Sequence, residues 1–168
     1  MNRPPIACFG RGMPLLFSGV LIAAAAGCDY IPRASTQKNN LSAMRTIPIR
    51  VADKVTYQCY IADDSETEQT GLMNVTEAEL PLDRGMIFDL DEDRYLSFWM
   101  RNTIIPLDIA YIRSDGTIVK TYTMQPLNEE GYPSVEPARF ALEVRAGQFA
   151  QHGIAMGDHV EIPPELLK

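Results

Sequence analysis

Phe98-Trp99-Met100-Arg101-Asn102-Thr103-Ile104-Ile105-Pro106-Leu107-Asp108 sets a hydrophobic strand, a polar elbow and the start of a second strand within eleven residues. Two bulky apolar side chains, including the only tryptophan of the chain, run straight into Arg101, Asn102 and Thr103. A packed core explains the two flanks but gives no reason for three consecutive polar groups between them, so Trp99, Arg101, Asn102 and Thr103 are candidate ligand-binding residues. Pro106 lacks a backbone donor and pushes Ile105 toward extended backbone, which stiffens the elbow. Asp108 shares a strand face with Ala110 and Ile112 and is the fifth candidate. A carboxylate on an apolar face needs partners, and it reads first as a clamp on the elbow.

Short strands extend outward from this elbow in both directions. Upstream, Ile47–Val51, Val55–Ile61, Gly85–Leu90 and Tyr95–Met100 read as strands; downstream, Leu107–Arg113 and Thr117–Met124 flank a Ser114-Asp115-Gly116 turn. Phe140, Leu142 and Val144 alternate in a further strand, which makes Glu143 read as a solvent-face residue, and a last strand follows at His159–Ile162. Ser65 and Glu68 have capping-box spacing at the start of a short helix that ends near Gly71. Ala146–His152 reads as a helical turn, and the proline-containing stretch 125–138 as one long loop. The expected fold is a single mainly β (α+β) domain, a β-sandwich or half-open β-barrel of about seven or eight short strands with one or two short helices.

The N-terminus supplies an address. Arg3 and Arg11 precede the apolar run 13–27, no acid occurs before Asp29, and the run falls short of the roughly 20 residues of a spanning helix. Residues 1–27 therefore read as a signal peptide. The ending Ala25-Ala26-Gly27-Cys28 resembles the lipobox of bacterial lipoproteins, which implies cleavage before Cys28, lipidation of Cys28 and retention at a bacterial membrane with the domain facing the periplasm or cell exterior. Residues 28–45, the cysteine and a polar tether, then precede a domain at 46–168.

Cleavage after residue 27 deepens the net charge from −7 to −9, because two arginines leave and no acid does. Nucleic acid is not expected as a partner of so acidic a domain, since such binding rests on clustered Lys and Arg. The expected partners are the membrane, through the anchor, and a cell-wall or small-molecule ligand. Cys8 falls in the signal and Cys28 under the lipid, leaving Cys59, which alternates with Val55, Tyr57 and Ile61 as a buried thiol with no disulfide partner. No metal site and no cofactor are expected. His152 and His159 lack a ligand pattern, and Asp89, Asp91, Glu92 and Asp93 lack the Gly and distal Glu of an EF-hand loop and read as a solvated hairpin tip.

Gly71-Leu72-Met73, Gly85-Met86-Ile87-Phe88, the Phe98–Asp108 elbow, Ala141-Leu142-Glu143-Val144 and Gly153 through Gly157-Asp158 together resemble the family called domain of unknown function 192, over residues 47 to 162. The resemblance implies a compact, mainly β, commonly exported domain and supplies no activity. Three functions stay open on the residues. The leading one is a small-ligand or partner-binding accessory domain. An envelope hydrolase acting through Asp108 and its neighbouring polar residues, with Arg101 and Glu143 in the same pocket, is the second. The third is a Cu(I) site built from Trp99 and a subset of Met73, Met86, Met100, Met124 and Met156.

Overall fold

The computed structural model describes residues 37–167, so the segment read as a signal peptide and Cys28 lie outside the described residues. Among the described residues nine strands form, β1 (Thr46–Val51), β2 (Val55–Ala62), β3 (Arg84–Arg94), β4 (Ser97–Phe98), β5 (Leu107–Ile112), β6 (Ile118–Met124), β7 (Tyr132–Pro133), β8 (Ala138–Arg145) and β9 (Val160–Glu161). Two short helices accompany them, α1 (Ser65–Thr70) and α2 (Gln148–His152). Seven strands make one curled half-barrel sheet in the order β6-β5-β8-β3-β2-β1-β9, while β4 and β7 pair separately. The mainly β half-barrel expected from the sequence is the fold observed.

Why these residues make this sheet is visible in its pairing. β1 and β2 alternate buried and exposed positions and pair antiparallel from Thr46↔Tyr60 to Val51↔Val55. β2 and β3 pair in parallel, which requires a crossover, and α1 with the turns after it supplies that connection. β5 and β8 are interior strands of the sheet and are buried at nearly every position, so apolar groups cover both sheet faces there. One face packs Ile49, Tyr57, Cys59, Phe140, Leu142 and Val144 against Phe149 of α2 and Leu166. The other packs Met86, Phe88, Ile109, Tyr111 and Ala141 under Leu72, Leu80, Leu96 and Met100.

At several points the structure departs from the sequence reading. The cap of α1 is Asp64, whose side chain accepts from the backbone N–H of Glu66 and Thr67 at 3.0 Å each, where Ser65 had been the expected cap. The stretch read as a tether to residue 45 is already packed at Asn39, which donates to the Thr67 and Gly71 carbonyls at 3.0 Å, and at Leu41, which enters the core. Residues 89–93 are the continuation of β3 rather than a hairpin tip. Asp89 is held by Arg139 at 2.8 and 3.1 Å, and Asp93 accepts from the Ser114 N–H and hydroxyl. The strand expected at Tyr95–Met100 shrinks to Ser97–Phe98, paired with β7 inside the stretch read as one loop.

Candidate ligand-binding site

The elbow is a tight turn. Thr103 N–H donates to the Met100 carbonyl at 3.0 Å, and Asn102 takes a left-handed backbone at φ 57°, a conformation that Asn tolerates better than most residues. Its carbonyl accepts from Asn74 N–H at 2.8 Å, and its side-chain amide lies 3.8 Å from Met73 Sδ. On the other side, Leu127 N–H donates to the Thr103 carbonyl and Met100 N–H to the Asn128 carbonyl. The elbow is thus pinned between the segment after α1 and the 125–138 stretch.

Above the sheet, β4 is fixed by aromatic packing. Phe98 meets Phe88 edge-on with ring centroids 4.9 Å apart and Tyr111 at 5.8 Å, and the series continues through Tyr122 to Tyr132. The Tyr111 hydroxyl donates to the Tyr132 carbonyl and accepts from Phe98 N–H, so the paired strands β4 and β7 share one anchor in the sheet. Trp99, immediately after β4, is 47% exposed and carries the Arg101 guanidinium 5.4 Å from its ring centroid.

Between this lid and α1 lies a cleft of about 620 Å³. One wall comes from α1 and the residues after it, including Glu66, Glu68, Leu72 and Met73; the other comes from Ser97, Phe98, Trp99 and Thr103. The sheet contributes Phe88, Leu90 and Glu143. Of the sequence candidates, Trp99 and Thr103 line the cleft. Arg101 reaches it only by covering Trp99, Asn102 ties the elbow to the segment after α1, and Asp108 lies elsewhere.

Glu143 is the residue that sequence reasoning missed. It is 4% exposed, not on a solvent face, and stands beside Met86 of β3 and Ile109 of β5. Among the described residues no hydrogen bond or ion pair from the protein reaches its carboxyl, which opens on the cleft. Burial pushes its pKa up to about 8, so the group is mostly protonated at neutral pH. Gly85, in register with Val144, explains how β3 and β8 approach so closely here: a Cβ at that position would lie 2.6 Å from the Glu143 carbonyl oxygen and 2.9 Å from Val144 Cγ1. At the rim, burial and the carboxylates of Asp91, Asp64 and Asp89 raise the Glu68 pKa, with Arg94 opposing them.

Asp108 is also buried, at 1% exposure, and every oxygen is used. Thr123 Oγ1 donates to Oδ1 at 2.6 Å and Phe149 N–H to Oδ2 at 3.0 Å, which fastens α2 to the β5–β6 pair. Asp108 pairs with Val144 while Glu143 pairs with Ile109, so the two carboxyls project to opposite sheet faces. A mechanism that needs both in one cleft is therefore inconsistent with the fold. On the Asp108 face the Tyr57 hydroxyl is buried without a partner; burial, then the Asp108 charge, hold its pKa well above the ordinary tyrosine range.

Of the methionines, Met73 lines the cleft, Met86, Met100 and Met124 sit in the core, and Met156 is exposed. Cys59 is buried, with its thiol pKa raised by burial. His159 Nε2 lies 3.0 Å from the Asp115 carbonyl, and His152 stands edge-on to Tyr57. Among the described residues no group of three or more His, Cys, Asp or Glu is placed to hold a metal ion, and no helix is long and apolar enough to cross a membrane.

This chain is similar to several solved structures, two of which are the following. A protein of unknown function from Novosphingobium aromaticivorans DSM 12444 is 32% identical with a TM-score of 0.69, the alignment covering 74% of this chain and 91% of that one. A putative transcription regulator from Sinorhizobium meliloti 1021 is 33% identical with a TM-score of 0.65, covering 70% and 94%. No curated protein matches. The family model described as "Uncharacterized ACR", DUF192, matches residues 47–162, which include the cleft, the elbow and Glu143. The chain belongs to the domain of unknown function 192 family.

Proposed function

We propose that this protein is a small-ligand-binding module of the bacterial envelope, anchored by lipid at Cys28, with the cleft between α1 and the Trp99 elbow as its binding site. The observation that carries the binding reading is Glu143. A buried carboxyl that no protein group completes is costly, and it is retained where a ligand completes it. The mixed lining, apolar from Phe88, Leu90 and Met73 and polar from Ser97, Thr103 and Glu143, suits a small organic molecule. Nucleic acid is not proposed as a partner, because the net charge is −7 and binding to phosphates requires clustered cations. Asp108 is a structural clamp in this account, so hydrolysis through it is not proposed.

The cleft is tested through Trp99, the only indole. Its emission should be reachable by a collisional quencher and protected when the cleft fills. An indole unreachable by the quencher would remove the elbow from the site. The anchor is tested separately by Cys28→Ser, which should release the protein from membranes or leave it unprocessed. Unchanged fractionation together with unchanged gel mobility would exclude lipidation.

A further inference from the structure

We infer that the cleft selects a protonated primary amine carried on a flat apolar body, with Glu143 as the counter-ion at its base. This rests on the binding reading above and names the ligand class. The cleft lining contains three carboxyls, Glu66, Glu68 and Glu143, and no Lys, Arg or His. Glu143 is buried, unpartnered and turned into the cleft, which separates it from a surface acidic cluster whose charges water already satisfies. Carboxylates around a low-dielectric cleft focus a potential that attracts cations. Phe88, Phe98 and Trp99 supply aromatic surface, able to take the apolar body and the flank of an ammonium group. An acid ligand would meet the like charges of Glu66 and Glu68, and a neutral one would gain no pairing with Glu143 once that carboxyl ionises.

The proton balance follows from the surroundings of Glu143. Facing it are Glu66 and Glu68 from α1 and the Tyr111 hydroxyl from β5, whose own pKa is raised, first by burial. β3 presents Met86 and the elbow Thr103; Arg94 acts on Glu68, and Arg101 lies on Trp99. With its pKa near 8, Glu143 must lose its proton to pair with an ammonium group. That proton is released to solvent when the amine binds at neutral pH. Affinity for the amine should therefore climb roughly tenfold per pH unit below 8 and level off above it, as the competent fraction of the protein grows. An alkylammonium group, with a pKa of about 10, stays charged throughout.

The test is calorimetric titration of the full domain with 2-phenylethylamine and its neutral isostere 2-phenylethanol at pH 6, 7 and 8.5, with Trp99 emission reporting where they bind. The amine should bind at least about tenfold tighter than the alcohol at pH 8.5 and release close to one proton at pH 7. Glu143→Gln, which keeps the shape, should abolish both the preference and the proton release. Equal binding of the two molecules, or a preference that survives Glu143→Gln, would overturn the amine assignment and leave the binding cleft standing. Binding of neither, with Trp99 emission unmoved, would overturn both.

Discussion

Asp108 and Glu143 are two buried carboxyls on neighbouring strands, one register step apart, with opposite roles. Asp108 accepts one hydrogen bond on each oxygen, and those donors hold α2 against the sheet. Glu143 accepts none and opens on a cleft. The difference teaches that burial alone does not make an acid functional; what separates a clamp from a site is whether the protein itself completes the carboxyl's hydrogen bonds.

The largest effect that could break this contrast is on pH-dependent stability. Glu143 has a folded-state pKa of about 8 against an ordinary value of 4.5, so the folded protein retains a proton that the unfolded chain has lost between those values. Stability is therefore lost progressively as pH rises from 4.5 to 8, and the loss is complete above 8. Glu143→Gln removes that titration. Relative to the parent, the variant should gain on the order of 4 kcal/mol between pH 4 and pH 9, read from denaturant midpoints. Parallel curves for the two proteins would show that Glu143 is not held protonated by burial.

Asp108→Asn should act in the opposite direction, costing about 1.5 to 3 kcal/mol at neutral pH because the charge-assisted bonds from Thr123 and Phe149 are weakened. Cleft binding should be unaffected, since Asp108 projects to the other face. A stable Asp108→Asn protein that no longer binds ligand would reverse the two roles. Smallest of the three, Thr123→Val removes one donor to Asp108 at a partly exposed position and should cost about 1 kcal/mol or less. Combined with Asp108→Asn, its effect should be less than additive, because both changes break one bond.

Much of the fold was legible because β1 and β2 are covered on one face and alternate cleanly, so Ile47, Ile49, Val51, Tyr57 and Cys59 mark the core directly. The elbow was legible too: three polar residues between apolar flanks mark the turn and Trp99. Glu143 was not, since alternation of Phe140, Leu142 and Val144 assigns the intervening positions to solvent. β8 is instead covered on both faces, and the available clue was Ala141, a small apolar residue at a position where a wet face would carry a polar one. Asp64 escaped as the cap because two adjacent residues, Asp64 and Ser65, both have capping chemistry, and only the backbone decides which of them stays extended. The burial of Asn39 and Leu41 depends on contacts with α1 and the core that a polar, aperiodic stretch does not announce.

The central claim is that Glu143 stands buried and uncompensated at the base of a ligand cleft, and its side-chain titration tests this most directly. Carbon-13 chemical shifts of the glutamate carboxyls, followed from pH 3 to 10 and assigned by Glu143→Gln, should show one resonance titrating near pH 8. Phenylethylamine should move that titration downward, as the ammonium group favours the ionised carboxyl. A Glu143 resonance titrating between pH 4 and 5, and insensitive to the amine, would contradict the account.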